Sequence, residues 1–410
     1  MHNLIDPDEA NRIVPLFRLA FRPFFLGGAL YSLLALTLWG VFWVTGLEWI
    51  PYGGWIWWHA HEMLFGFVVA IIVGFLLTAV QTWTGQESIA SWPLAGLFGL
   101  WLAPRFLLLY PIAGIEALLP WLDLAFIPAA AWVLGRLVWR VRQLHNLFFV
   151  PVLLLLTYTN AQMHWAITSG DGALARAASH SAIFLLVFVM VLMGGRVIPF
   201  FTASGTNTKR ATPNPAIEGL SLGSAGLLAL LQVSGVTPYL PGLLIASLFL
   251  LAGVVHLLRL LRWRPWITYR EPLLWSLHLA YLFIVLGFFL AAMRYAGLTL
   301  ELFGGFANHY ATILHSFTLG GAGLLVMAMM SRVALGHTGR PLAVSIWITL
   351  GFLCLIAAYV SRVWLPLFLP GTSHYLSYLL SIFLWMLGYG LFVMIYLPIL
   401  SKPRADGRPG

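Results

Sequence analysis

Two histidines and a glutamate lie close together in the segment WWHAHEM at positions 57–63. Helical residues turn by about 100° each, so His59 and His61 point to opposite sides of a helix. Such rings serve two centres that flank the helix more easily than they share one metal ion. Glu62 follows His59 by three residues, where a carboxylate can orient its ring, accept protons or complete a metal shell. The alternative is a position in the outer membrane interface, beside a tryptophan belt.

The layout around His61 recurs at two other histidines, each at the start of an apolar stretch that ends near a glycine. The histidine-to-glycine separations are 24, 25 and 24 residues, for His61 to Gly85, His180 to Gly205 and His315 to Gly339. A histidine inside a membrane span is costly to leave without a partner, which favours a functional site inside a helix bundle. We predict that the three rings converge to hold haem or metal. The alternative is chance alignment, because the rest of each stretch shows no clear self-similarity.

Three arginines, Arg105, Arg294 and Arg362, depart from the general placement of positive charge along the chain. A guanidinium binds a carboxylate in a bidentate fork, so we predict that they neutralise haem propionates at the outer side of the membrane. The alternative is that they extend to lipid headgroups.

Four further histidines are candidate metal ligands. His164, His309 and His374 lie near outer ends of apolar stretches, where each suits either copper or the membrane interface. His278 lies in the inner third of its stretch and suits a separate metal site, a proton path or simple packing. The sequence contains no HExxH zinc motif, phosphate loop or Ser-His-Asp arrangement.

The composition indicates an integral membrane protein. Of the 410 residues, 61% are hydrophobic and 9% charged, against about a quarter charged in a soluble domain. No polar linker divides the chain, so we expect one membrane domain over 1–410, with cytoplasmic segments 1–23 and 401–410 around a bundle at 24–400. The single cysteine, Cys354, excludes disulfide frameworks, cysteine-ligated iron–sulfur clusters and thioether-bound haem. The first residues lack a basic segment before an apolar one, so we expect no cleavable signal peptide.

Cutting the chain at charges, prolines and turn residues gives an all-α fold with twelve membrane spans, because about 20 helical residues cross a bilayer. With the N-terminus inside, 17 of the 22 Lys and Arg fall in inner segments and four in outer ones, while Arg196 lies near the inner end of span six. This bias predicts that both termini are cytoplasmic, and it explains the net charge of +9 without a nucleic-acid partner. The recurrence of histidines on spans two, six and ten predicts three four-helix units around an approximate threefold axis. The predicted spans are 24–45, 59–83, 92–110, 118–139, 147–168, 178–201, 217–236, 240–261, 273–294, 306–331, 341–364 and 375–399.

Five segments resemble motifs of the NnrS family. They are FRPFF at 21–25, WHAHEMLFG at 58–66, GFLLTA at 74–79, GGRVIPFFT at 194–202 and RVALGHTG at 332–339. The resemblance extends from the first span to the tenth. It implies a multi-pass protein of the bacterial inner membrane that contains haem and copper and is tied to denitrification and nitric oxide stress. Without a CxxCH segment, the haem implied is haem b.

The layout also resembles the twelve-helix haem-copper oxygen and nitric oxide reductases, whose metal ligands lie on helices two, six and ten near the outer face. In those proteins an HxH pair serves two haems from opposite sides of one helix. Here the HxH pair lies on span two instead of span ten, so a correspondence requires a cyclic shift of the three units. The copper-binding His-His pair of that superfamily is not seen in the sequence.

We therefore expect a haem and copper protein that binds nitric oxide, or a similar small gas, near the outer face of the membrane. We expect it to remove the gas as a nitric oxide reductase-like oxidoreductase, with Glu62 as a catalytic group. The gas would arrive through the lipid bilayer, and electrons would come from a quinol or a periplasmic donor. Two other classes stay open. One is a twelve-span secondary transporter, which should show a six-plus-six repeat and interrupted midplane helices. The other is a nonenzymatic haem-based sensor or metal-handling protein.

Overall fold

The structure, a computed structural model, describes residues 12–298, 310–368 and 373–408. Within these ranges the fold is helical, contains no strand, and has twelve helices long and apolar enough to cross a membrane. The predicted fold class and span count are confirmed. The helices are α1 Phe21–Thr45, α2 Gly54–Thr84, α3 Ser91–Leu109, α4 Glu116–Arg140, α5 Leu144–Ser169, α6 Gly172–Thr206, α7 Pro215–Val233, α8 Gly242–Arg262, α9 Pro272–Tyr295, α10 Tyr310–His337, α11 Ile346–Leu367 and α12 His374–Ser401.

Several helices are longer than the predicted spans because their ends are set by capping groups and not by the edge of the apolar stretch. Helix α6 begins at Gly172, where the side chain of Asp171 accepts hydrogen bonds from the amides of Ala173 and Leu174, both at 2.9 Å. Such a cap satisfies amides that have no partner within the helix. Helix α10 continues to His337, and Gly339 follows with a φ of 71°, which a glycine adopts without strain.

The chain divides into two compact units. The first contains Met1–Ser179, Met330–Leu342 and Tyr389–Gly410, and the second contains His180–Met329 and Ala343–Gly388. The expectation of one membrane domain over the whole chain stays a prediction. So does the threefold arrangement of four-helix units.

Helix α2 is the central helix of the first unit. It packs against α1, α3 and α4, and α4 in turn packs against α5. The ring of Phe24 lies 6.2 Å from that of Trp101 and 5.5 Å from that of Phe126, so aromatic side chains join α1 to α3 and α4. Large apolar side chains thus hold together the helices that surround the polar residues of α2.

Among the described residues, three helices contain a turn of π-helix, at Glu62–Val68 in α2, Ser316–Gly323 in α10 and Val360–Trp364 in α11. The first two begin directly after His61 and His315, two of the histidines singled out from the sequence. Such turns are rare in proteins overall. Where they occur, they are often at functional sites, because they change the direction of side chains within a continuous helix.

Candidate metal centre

The π-helical turn of α2 directs two consecutive ionisable residues into the first unit. His61 is the last residue of the regular segment Gly54–His61, Glu62 is the first of the π-helix, and both are fully buried. Gly66 provides space for this arrangement. A Cβ at that position would lie 2.7 Å from Oε2 of Glu62 and 3.0 Å from Nη1 of Arg105.

Both ring nitrogens of His61 face oxygen atoms. Nδ1 lies 2.7 Å from Oε1 of Glu62, whereas Nε2 lies 2.8 Å from Oδ1 of Asn160 and 3.1 Å from Oδ2 of Asp123. The indole of Trp57 stacks on the imidazole with ring centroids 4.5 Å apart and planes inclined by 9°. The ring is therefore fixed on its face and at both nitrogens.

Arg105 of α3 joins the two buried carboxylates of the site. Its Nη1 donates to Oε2 of Glu62 at 2.9 Å, and its Nη2 pairs with Oδ1 of Asp123. The Tyr31 hydroxyl also donates to Glu62, and Nδ2 of Asn160 donates to Asp123 at 2.7 Å. Buried charges require this kind of pairing. Two carboxylates against one guanidinium leave a net negative charge, which a metal ion or a proton on His61 would balance.

His164 of α5 is the second histidine at the site. Its Nε2 lies 3.2 Å from Oδ2 of Asp123, and its ring centroid lies 5.2 Å from that of His61. The rings of Tyr52 and Trp57 cover it at 5.6 and 5.4 Å. Tyr52 lies in the segment between α1 and α2, and burial raises the pKa of its phenol. Within the described residues, Nδ1 of His164 and the Tyr52 hydroxyl have no hydrogen-bond partner.

His61, Asp123 and His164 form a donor set that fits one metal ion, since one ligand atom from each lies within 4.8 Å of the others. The separations of 3.1 and 3.2 Å from Asp123 Oδ2 to the two Nε2 atoms suit ligands around one ion at about 2.0–2.2 Å. A ligating histidine usually donates its other N–H to a carboxylate, as His61 does to Glu62. Two imidazoles and a carboxylate suit copper, iron or zinc.

His59 lies in separate surroundings, as the sequence predicts. Its ring stacks on the indole of Trp39 at 4.4 Å, with an interplanar angle of 9°. The predicted separation of His59 and His61 by helical geometry is therefore confirmed. Glu62 was expected on the face of His59, and in the structure its carboxylate contacts the ring of His61. The backbone enters the π-helical turn at this residue, which alters the angle at which its side chain leaves the helix.

Two of the predicted site residues, His180 and Arg294, lie against Tyr310 in the second unit, and a third, His315, lies on the same helix as Tyr310. The ring of His180 lies 4.6 Å from that of Tyr310, and the guanidinium of Arg294 lies over the same ring at 5.7 Å. His315 follows on the same helix, and its Nδ1 lies 2.6 Å from the carbonyl oxygen of Ala311. An Nδ1–H bond to a backbone carbonyl fixes the tautomer in which Nε2 can bind a metal.

The other predicted ligands have different surroundings. Nε2 of His278 lies 2.9 Å from the hydroxyl of Thr202, which already donates to the carbonyl of Ile198, so the imidazole is the donor. The guanidinium of Arg362 lies over the ring of Tyr378 at 4.1 Å. His309 lies outside the described residues.

Asp123 and Asn160 belong to the candidate centre although the sequence did not single them out. Asp123 lies in the apolar segment LPWLDL at 119–124, and a carboxylate inside a membrane span is itself a sign of function. Asn160 is uncharged and has no comparable signal. His164 was considered for copper only as one of several histidines near helix ends, because nothing in the sequence relates it to His61.

A family model described as NnrS protein matches residues 15–404. No curated protein matches the chain.

Proposed function

Since the chain belongs to the NnrS family, we propose that it is a copper- and haem-containing protein of the bacterial inner membrane that acts in the response to nitric oxide. The observation that carries the proposal is the contact of one carboxylate oxygen, Oδ2 of Asp123, with the Nε2 atoms of both His61 and His164. We assign copper to this site, because two imidazoles and a carboxylate suit copper among other metals and the resemblance to the NnrS family implies copper.

His61 is assigned to copper and not to haem. Its Nε2 lies 3.1 Å from Asp123 and 2.8 Å from Asn160, a spacing that suits an ion and leaves no width for a porphyrin. In this assignment the unprotonated Nε2 of the neutral imidazole would hold the ion, while the Nδ1–H group donates a hydrogen bond to Oε1 of Glu62. Arg105 pairs with both Glu62 and Asp123, and the ion would balance the remaining negative charge. Glu62 is then a positioning residue.

We propose that haem b lies in the second unit, with His180 and His315 as ligands. The support is that His180 contacts Tyr310 at the beginning of α10, that His315 lies five residues later in the same helix, and that His315 has the Nδ1 contact to a carbonyl oxygen described above. Arg294, over the ring of Tyr310, would neutralise a propionate. This assignment keeps the predicted haem ligands on α6 and α10 and removes His61 from the set.

Nitric oxide suits a centre enclosed by apolar helices, because a small apolar gas dissolves in the bilayer and needs no polar channel. A bound metal with an open coordination position would supply the binding site for the gas. The side chains of this chain fix the ligands and exclude water: Trp57 covers His61 and Tyr52 covers His164. Reductive removal of the gas would take electrons from a quinol or a periplasmic donor.

The test uses the full chain purified in a neutral detergent. We expect His164→Gln to reduce the amount of copper bound per protein by roughly tenfold or more, since the substitution removes one metal ligand. The matched control is His256→Gln, another fully buried histidine, whose Nδ1 bonds to the Tyr281 hydroxyl at 2.6 Å in the second unit. We expect this control to keep its copper. Equal copper in wild type and His164→Gln would contradict the site.

The same preparations test the haem and the gas. We expect His180→Ala and His315→Ala to lose the haem spectrum and keep copper, and wild-type protein to change its spectrum when nitric oxide is added. A spectrum that is insensitive to nitric oxide would favour a metal-handling protein. Preparations without copper and haem would favour a transporter, in which the buried charges around His61 would relay protons.

A further inference from the structure

Arg22 is fully buried at the beginning of α1, in the FRPFF segment that the metal centre does not use. The helix is fixed there by a hydrogen bond from the amide of Phe21 to the hydroxyl of Thr78 in α2, at 2.9 Å. The following residue, Pro23, suits the first turn of a helix, where an amide hydrogen has no helical partner. The local backbone thus holds the Arg22 side chain inside the first unit.

One of the three nitrogens of the Arg22 guanidinium donates hydrogen bonds to the end of α12. Nη1 donates to the carbonyl oxygens of Leu400 and Lys402, at 3.0 and 2.8 Å. Within the described part of the chain, Nε and Nη2 are buried and have no hydrogen-bond partner. These two atoms lie on one edge of the guanidinium, and that edge binds two oxygens of an anion in a bidentate fork. The nearby ring of Phe21, 5.7 Å from Cζ, contains no acceptor oxygen.

The charges around Arg22 are predominantly positive. Its main electrostatic interactions are with Arg18, Arg340 and Arg404, which are all cations. The carboxylate of Asp406 is engaged by Arg404 at 2.6 Å. Burying a guanidinium among other cations is unfavourable unless an anion compensates them.

The four arginines come from three segments of the first unit. Arg404 donates from Nη1 to the carbonyl of His337 at 2.8 Å, and the amide of Ala405 donates to the carbonyl of Thr338 at 3.0 Å. The chain after α12 is therefore fastened to the end of α10, beside the beginning of α1. Arg340 and Arg404 are only half-buried, so this end of the unit reaches the surface at those residues.

We propose that Arg22, with Arg18, Arg340 and Arg404 around it, forms a binding site for a phosphate group at the end of the unit that the charge bias predicts to be cytoplasmic. A phosphate presents several oxygens to one guanidinium edge and carries enough charge to balance several cations. Two sources supply this chemistry, inorganic phosphate from solution and the phosphate of an anionic phospholipid. The site is separate from the metal centre and does not depend on the proposed function.

The test measures the apparent unfolding temperature of the delipidated full chain in neutral detergent, by tryptophan fluorescence. One series replaces chloride by inorganic phosphate at constant ionic strength, and a second adds phosphatidylglycerol or, as its control, phosphatidylcholine. We expect a saturable rise of at least about 2 °C with phosphate, with phosphatidylglycerol, or with both, because a ligand that binds only the folded state stabilises it. A rise with inorganic phosphate identifies the free anion as a ligand, and a rise only with phosphatidylglycerol identifies the lipid.

Two variants locate the effect. Arg22→Lys keeps the charge but loses the paired edge, so we expect the apparent affinity to fall roughly tenfold. Because Arg22 also holds the end of α12, this variant can fail to fold, and Arg340→Gln serves as the second variant, with an expected weakening of roughly threefold or more. The control is Arg136→Gln, because Arg136 is exposed in the same unit. Its unfolding temperature should rise with phosphate or lipid as that of the wild type does. The proposal is overturned if neither phosphate source raises the unfolding temperature of the wild type. It is also overturned if the unfolding temperature of Arg340→Gln rises at the same phosphate or lipid concentrations as that of the wild type.

Discussion

Glu62 orients His61 and is itself held by Arg105 and Tyr31. We expect Glu62→Gln to lower the affinity for copper about 10–100-fold, the usual effect of losing a hydrogen-bond partner behind a metal ligand. The amide keeps the shape of the side chain, so the protein should still fold. Copper titration of the metal-free protein measures the affinity. Glu116→Gln, an exposed glutamate of α4, is the control, and an unchanged affinity in Glu62→Gln would remove Glu62 from the site.

Arg105 pairs with two buried carboxylates, whereas the sequence predicted a role at a haem propionate. We expect Arg105→Leu to destabilise the protein by about 3–5 kcal/mol, the cost of leaving buried charge without its partner. Thermal unfolding of the purified protein measures the loss, with Arg140→Leu at an exposed position as control. If Arg105→Leu unfolds like the wild type and loses only its haem, the propionate role is correct and the pairing described here is not important for stability.

For single residues, the sequence predicts relations between side chains that are close together in one helix. His59 and His61 are two residues apart, so their separation follows from the turn of the helix, and their surroundings differ as expected. The partner of His61 could not be predicted in the same way. Asp123 is 62 residues away along the chain, and its position beside His61 depends on how α2 and α4 pack.

Within α2, the π-helical turn and Gly66 together make room for the carboxylate of Glu62. We expect Gly66→Ala to displace that carboxylate, because the new methyl group would lie 2.7 Å from Oε2. Copper binding should then fall at least as far as in Glu62→Gln. Gly99→Ala is the matched control, since a Cβ at that position of α3 has no other atom within 4 Å. Normal copper binding in Gly66→Ala would show that the close approach at this turn is not needed.

The helices themselves were predictable from apolar length, and their ends could be predicted only to within a few residues. Helix α6 begins six residues before its predicted start because Asp171 caps it. The π-helical turns have no comparable local signal. At Gly66 the turn of α2 lies against Tyr31 and Arg105, which are distant along the chain.

Over the whole molecule, the distribution of Lys and Arg predicts that both termini are cytoplasmic. We expect a fluorescent-protein fusion to the C-terminus to fluoresce, because the reporter folds in the cytoplasm. An alkaline phosphatase fusion after Gly170, between α5 and α6, should be active, because this enzyme needs the oxidising outer side. The two reporters exchanged between these positions serve as controls. The opposite pattern would place the metal centre at the inner face.

At this scale the sequence predicts the number and direction of the helices and leaves their grouping undetermined. Twelve spans and the family follow from composition and motifs, and both are confirmed. The two compact units could not be predicted, because residues 330–342 and 389–410 belong with the beginning of the chain through long-range packing. The convergence of His61 with His180 and His315 stays a prediction, since His61 lies in the first unit and the other two lie in the second.

The central claim is that one copper ion is held by His61, Asp123 and His164. Its most direct test is an anomalous difference map from crystals of the copper-loaded protein, measured on both sides of the copper absorption edge. We predict a single strong copper peak in the first unit, about 2.0–2.2 Å from Nε2 of both histidines and from Oδ2 of Asp123. A map without a peak at these three atoms, or with its copper peak beside His180 and His315, would contradict the assignment.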